Sequence, residues 1–496
     1  MDGEEALSKV GVGSAAIIAG FAIGIVLQYL IKVVLARFLG PGSYGVFVQG
    51  LALVQAAAIL SLFGLHMSLP RFISYYKGKK ERRLIGETAG TALSIVIPSA
   101  IVVSSVLYLS SRWISATVFS EPALVQPLQI FALSVLPLSL FYLAVGFIRG
   151  RQNARYKVYL DDLLFPGVEL VLVLVFFGLG YGVEGAISAY LISVSAVVIA
   201  SYWLYRKLAD GGFKVSKKTA RKLLFFSWPL FILSILTMAS KWIDVLMMGW
   251  LKESVQVGVY EVAFAVAGVL PLFLSSLKYM FLPVISELYG KGDLGEILEL
   301  YRTSTRWIFT LVLPLFAGML IFPSEILNVL FGQSYTAGAL ALAILSIGYF
   351  FHVAVGPAGN ILLASGKTRL LLFGMLVLTV VDVVLNLFLI PRYGMVGAAI
   401  AMTSGLLAGN AVLLFLAVRE VGGHPYTGKY LKSAVSVLVA SIPVYGLKMV
   451  IEPGLIESVL LGVLLVLIYG SFLYLSGGVQ KEDWQMMDEV VGAVRG

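Results

Sequence analysis

Apolar residues in this chain neither alternate nor recur as a narrow stripe; they run in long unbroken blocks separated by short polar segments. A membrane-spanning helix needs about 20 mainly apolar residues. The blocks predict helices near 12–37, 44–69, 85–110, 125–149, 158–180, 184–206, 223–248, 255–285, 303–322, 338–364, 370–391, 395–418, 430–450 and 456–477. Barrel strands would be about half as long and would alternate. The pattern therefore predicts an all-α integral membrane protein with 14 transmembrane helices. Composition narrows this further: 59% of the 496 residues are apolar and 13% are charged, against about 25% charged in a soluble chain. No water-soluble core absorbs such an excess, because small surfaces still demand a polar shell. Collagen, disorder and coiled coil are excluded as well, since no block is polar or periodic enough.

The formal net charge of +9 would suggest nucleic acid in a soluble protein. Here topology explains it. With the predicted helices in place, 28 Lys and Arg fall on one side, 4 on the other and 4 within helices. Basic loops stay in the cytoplasm during insertion, so the bias predicts cytoplasmic N- and C-termini in a multi-pass protein of the cytoplasmic membrane. Nucleic acid is not an expected partner. Met1 to Val10 carries Asp2, Glu4, Glu5 and Lys9 and lacks a basic leader and a small-residue cleavage site, so helix 1 reads as a retained span.

Three matches reveal an internal repeat. Gly45-Val46-Phe47 corresponds to Gly258-Val259-Tyr260 at an offset of 213. The turn Tyr181-Gly182-Val183-Glu184-Gly185-Ala186 corresponds to Tyr393-Gly394-Met395-Val396-Gly397-Ala398 at 212, and the turns ending in Arg155 and Arg369 differ by 214. Six helices separate the copies, and an even number returns the chain to the same face, so the repeats are parallel. The expected organisation is an N-lobe over 1–206, a basic cytoplasmic linker over 207–222, a C-lobe over 223–418, and helices 13–14 with a cytoplasmic tail over 419–496. Two such lobes enclosing a central cavity suit alternating access.

No engine or cofactor is legible. The chain has no cysteine, which excludes disulfides and thiolate chemistry. His66, His352 and His424 show no zinc-site spacing. Gly366-Lys367-Thr368 resembles the end of a phosphate-binding loop, but Ile361 stands where that loop needs glycine, and no strand precedes it. No extramembrane stretch has room for a nucleotide-binding domain. The chain is expected to be no enzyme, to use no cofactor or metal, and to draw on an ion gradient, the membrane potential or its substrate's own gradient.

Charges at bilayer depth cost at least about 2.5–3.5 kcal/mol on insertion scales, so each is a candidate for function. Lys32 in helix 1, Lys241 in helix 7 and Lys278 in helix 8 would form a cationic lining if they face the cavity; Arg71, Arg306, Arg149 and Arg151 border its cytoplasmic mouth, where topology is the first reading and substrate capture the second. The competing reading has Lys32 reaching to the outer surface and Lys241 paired with Asp244 three residues on. The acidic set is Asp244, Glu169 and Asp382, with Asp161 and Asp162 near the inner end of helix 5. Glu169 and Asp382 differ by 213. Asn386 lies on the same helical face as Asp382, which gives a candidate proton or ion-coupling site (H+ or Na+) or, equally, a helix-holding bond. His352 is expected to bond between helices, Gly20 and Gly24 to form a close-packing face, and Val479 to Gly496 to form a short amphipathic helix.

The run Leu35-Ala36-Arg37-Phe38-Leu39-Gly40-Pro41-Gly42-Ser43-Tyr44-Gly45 resembles the first hairpin of the polysaccharide transporters. These are the oligosaccharide flippases of the multidrug/oligosaccharidyl-lipid/polysaccharide superfamily. The Tyr-Gly-x-x-Gly-Ala turns at Tyr181 and Tyr393 and the two-lobe plan are similar to theirs too. That resemblance implies translocation of a polyprenyl-phosphate- or pyrophosphate-linked oligosaccharide through a cationic cavity, with membrane lipids and glycan-assembly enzymes as partners. The related multidrug exporters often carry an acidic residue in helix 1, where this chain has none. A cation-coupled exporter stays as the alternative, and a non-transport membrane scaffold as a third.

Overall fold

The computed structural model describes residues 3–208, 214–451 and 454–478, with side chains from residue 19 onward apart from 154, 205–208, 278–280 and 455. Part of the expected basic linker, 209–213, and the expected amphipathic tail, Val479–Gly496, lie outside the described residues.

Every described element is a helix. In hydrocarbon a helix satisfies all its backbone groups within one segment, which long apolar blocks require. In chain order they are α1 (Gly3–Leu62), α2 (Leu65–Gly78), α3 (Arg82–Trp113), α4 (Val125–Leu133), α5 (Val135–Gly150), α6 (Ala154–Lys157), α7 (Phe165–Gly178), α8 (Val183–Leu208) and α9 (Lys217–Leu251). There follow α10 (Ser254–Ala267), α11 (Leu270–Lys291), α12 (Leu294–Ile321), α13 (Pro323–Phe331), α14 (Ala339–Ala354), α15 (Ala358–Ala364), α16 (Thr368–Val421), α17 (Lys429–Ile451) and α18 (Leu455–Leu475). A π-helical stretch, Val158–Leu164, joins α6 to α7.

All fourteen predicted stretches fall on helical segments, some of them broken. By length and hydropathy, nine of the described helices qualify as spans, or up to eleven if each of two pairs bent by 44° and 47° is one span. Two of the nine are unusually long. α1 is interrupted at Gly40 (φ 70, ψ 169), directly before Pro41, and α16 at Gly394 (φ 56, ψ −132). Only glycine adopts those angles cheaply, so in each case the break separates two predicted stretches.

Contacts divide the chain into two compact units, Met1–Gly258 and Val259–Arg495. In the first, Leu62, Leu65, Ile73, Val96, Leu143 and Leu223 form a buried core shared by α1, α2, α3, α5 and α9. The membership of α9 is notable, because the repeat places that stretch at the head of the second lobe. It is tied to the first unit along its length. Thr219 Oγ1 donates to Glu87 Oε1 (2.6 Å), Ser227 Oγ to Ser68 Oγ (2.7 Å) and Trp242 Nε1 to Gln55 Oε1 (3.2 Å). In the second unit, α17 and α18 pack on α12 through Leu313, Ala317, Ala440, Val444 and Leu465. Lys448 of α17 is held there by Glu325 at 2.8 Å.

Between helices in lipid the hydrophobic drive is absent, so association rests on close packing and interhelical bonds. Gly20 and Gly24 fulfil the packing role expected of them. A Cβ on Gly20 would lie 2.4 Å from Val158 Cγ1, and one on Gly24 would lie 2.5 Å from the Asp162 carbonyl oxygen. The π-helical stretch therefore rests directly on α1.

The repeat also meets itself. A Cβ on Gly45 would stand 1.8 Å from the Ser254 carbonyl oxygen, and one on Gly258 would stand 2.1 Å from the Pro41 carbonyl oxygen. Pro41 and Ser254 share the 213-residue offset of Gly45 and Gly258. The second half of α1 and the start of α10 thus cross with their backbones touching reciprocally.

Candidate functional site

The residues singled out by charge fall into both units. In the first, Lys32 is half-buried in α1, Lys241 is exposed on α9 and Asp244, one turn on, is buried. The Lys241 ammonium lies 5.0 Å from the centre of the Trp242 ring, whose indole nitrogen is anchored on Gln55. Arg71 is exposed on α2, with its guanidinium 4.2 Å above the Phe226 ring of α9. Glu169 is buried in α7. In the second unit Arg306 is buried in α12 at 6% exposure, an unusual depth for a guanidinium. Lys278 belongs to α11, and its side chain lies outside the described ones.

One expected pair is brought together. Asn386 Nδ2 donates to Asp382 Oδ1 at 3.0 Å, both residues fully buried in the first half of α16. Helical spacing puts them on one face, and the close approach of the second half of α16 covers that face: a Cβ on Gly405 would lie 3.1 Å from Asp382 Cβ. Replacing Asp382 with alanine removes the acceptor of a buried amide, a loss of about 1–3 kcal/mol. The variant is expected to unfold at a clearly lower temperature, whereas Asp382→Asn, which keeps an acceptor oxygen, loses less. Equal melting temperatures for the two variants would contradict this.

Other charged residues are accounted for by local bonds. Lys157 Nζ reaches both Asp162 carboxylate oxygens at 2.8 Å and Asp161 at 3.3 Å, which makes those acids a clasp at the base of α7. His352 Nδ1 and Asn410 Oδ1 are 2.8 Å apart, joining α14 to α16 as expected. Gly366-Lys367-Thr368 forms the turn into α16, with Lys367 paired to Glu420. Among the described residues no His, Cys, Asp or Glu cluster could hold a metal ion.

Sequence reasoning missed a polar chain at the α1–α10 crossing. Gln49 Nε2 donates to Ser254 Oγ (3.0 Å), which donates to Glu121 Oε2 (2.7 Å), with Gln49 and Ser254 buried. Gln49 and Ser254 are 205 residues apart, and only the adjacency of the repeat-related glycines could have hinted at it.

Comparison with known proteins agrees with this architecture. The solved lipid II flippase MurJ, in its inward closed conformation, superposes with a TM-score of 0.73 over 93% of this chain and 99% of that one, at 13% identity, and so shares the fold. The probable low-salt glycan biosynthesis flippase Agl15 of Haloferax volcanii is 27% identical over 78% of this chain and 79% of its own length. A putative O-antigen transporter of Shigella flexneri is 22% identical over 81% and 96%. The MatE family model matches residues 229–388. The model of the polysaccharide biosynthesis protein family matches residues 10–289, more than half of the chain, and the chain belongs to that family.

Proposed function

We propose that this protein is a flippase that carries a polyprenyl-phosphate- or pyrophosphate-linked oligosaccharide from the cytoplasmic to the outer leaflet of the cytoplasmic membrane. The observation that carries the reading is its membership of the polysaccharide biosynthesis family, extended by similarity to named glycan flippases over most of its length. The physical task is to move a polar, anionic headgroup through hydrocarbon, where each unsatisfied polar group costs several kcal/mol. A water-filled cavity lined by Lys32, Lys241 and Lys278, with Arg71 and Arg306 at its mouth, would meet that need while the lipid tail stays in the bilayer. Alternating access would then move the cavity opening from one leaflet to the other. Asp244, Glu169 and the Asp382–Asn386 pair are the groups we assign to coupling with H+ or Na+. Both termini are assigned to the cytoplasm, where glycan-assembly enzymes would deliver the substrate.

The MatE match over residues 229–388 favours a second reading, a cation-coupled multidrug exporter. Reconstitution separates the two. In proteoliposomes, a fluorescent lipid-linked oligosaccharide is expected to cross leaflets faster than in protein-free vesicles, and a cationic dye is expected to stay. Dye export without glycolipid movement would reverse the assignment.

A further inference from the structure

Within the first unit, α2, α3, α5 and α8 enclose a cavity of about 390 Å³, inside the range of ligand-binding pockets. Its wall is almost wholly apolar, with Leu69, Leu93, Ala144, Phe147 and Val198 contributed by the four helices. Two further lining residues, Ile97 and Tyr202, are exposed, so the cavity reaches the flank of the bundle. The neighbouring outward residues there, Ile101, Ile199 and Trp203, are exposed and apolar, as expected of a surface facing lipid chains.

One polar group stands out in this wall. Ser201 of α8 is 6% exposed, and its Oγ has no hydrogen-bond partner among the described residues. Serines earlier in the same helix do otherwise: Ser193 and Ser195 donate to the carbonyls four residues back, at 2.6 and 2.7 Å. A buried hydroxyl left without a bond is costly, which marks Ser201 as a donor awaiting an acceptor.

Charge orients the occupant. Exposed Arg83 precedes the lining residue Ala89 by six residues, about 9 Å along a helix. Arg83 lies at the end of the unit that the loop bias assigns to the cytoplasm. Size limits the occupant. At about 30 Å³ for a small heavy-atom group, the share of one water in liquid, the cavity takes roughly a dozen chain carbons. That suits one chain of an ordinary membrane lipid and not a polyprenyl carrier several times longer.

We infer that this cavity holds one hydrocarbon chain of an anionic lipid of the cytoplasmic leaflet, with Ser201 Oγ donating to an oxygen of the lipid backbone and Arg83 toward its headgroup. The site lies within one unit and is separate from the residues assigned to substrate passage. It does not depend on the flippase reading.

The test is native mass spectrometry of the purified full chain, titrated with dioleoyl phosphatidylglycerol, dioleoyl phosphatidylcholine and a polyprenyl phosphate. One phosphatidylglycerol is expected to be retained in preference to phosphatidylcholine. Ala144→Phe, which fills the cavity, is expected to abolish that retention, and Ser201→Ala to weaken it severalfold, with folding checked by thermal unfolding. Should Ala144→Phe fail to fold, Ser201→Ala alone decides. Unchanged retention in the variants, or no retained lipid in the parent, would overturn the site. Displacement by polyprenyl phosphate at equal concentration would also overturn it, turning the cavity into a substrate subsite. A protein that keeps phosphatidylglycerol yet moves no glycolipid leaves this site standing and removes the flippase assignment instead.

Discussion

Gly45→Ala and Gly258→Ala are each expected to lower the stability of the purified protein by about 2 kcal/mol or more, although alanine is the better helix former. Intrinsic propensity favours alanine over glycine by about 1 kcal/mol in a helix interior. Against it stands a methyl group 1.8 Å from the Ser254 carbonyl oxygen in one case and 2.1 Å from the Pro41 carbonyl oxygen in the other. Overpacking costs typically about 1–3 kcal/mol when side chains can yield. Here the obstacle is backbone, so the helices themselves must separate, and the Gln49–Ser254–Glu121 hydrogen bonds stretch with them. The steric effect therefore wins. Gly167→Ala supplies the control, because a Cβ there meets nothing within 4 Å; it is expected to be neutral or stabilising. Thermal unfolding in detergent reads all three. A Gly45→Ala protein as stable as Gly167→Ala would show that the two helix backbones do not touch.

The second large effect concerns transport. Replacing both Lys32 and Lys241 with alanine is expected to slow glycolipid flipping by tenfold or more. A charge-assisted hydrogen bond contributes about 1.5–3 kcal/mol, and about 1.4 kcal/mol is a factor of ten. Lys241 also has a structural role to separate from this, since its ammonium sits over the Trp242 ring, an interaction of about 0.5–1 kcal/mol at an exposed site. Lys241→Arg keeps both the charge and the ring contact, and is expected to retain most activity. If the double alanine variant melts lower but flips glycolipid at the parental rate, the two lysines are packing groups and the anion site lies elsewhere.

Some of this was readable along the chain because its causes are local. The helix at Phe165–Gly178 follows from an apolar block that must satisfy its own backbone in lipid. The Asp382–Asn386 bond follows from a four-residue spacing on one helix. The packing face at Gly20 and Gly24 follows from two missing side chains one turn apart. Even the breaks at Gly40 and Gly394 coincide with the gaps between predicted stretches.

Which faces meet is another matter. The repeat assigned α9 to the second half of the chain, yet Thr219, Ser227 and Trp242 find their partners in Glu87, Ser68 and Gln55 of the first unit. Asp161 and Asp162, near the inner end of the predicted fifth helix, are both held by Lys157. Hydropathy determined from the sequence alone that this is a bundle of membrane helices. The crossing of Gly45 with Gly258, the orphaned hydroxyl of Ser201 and the attachment of α9 were decided only in three dimensions. The physical reason is that lipid is as apolar as leucine: hydrophobicity tells each helix to enter the membrane but not which neighbour to choose, and that choice rests on close contacts between residues distant in sequence.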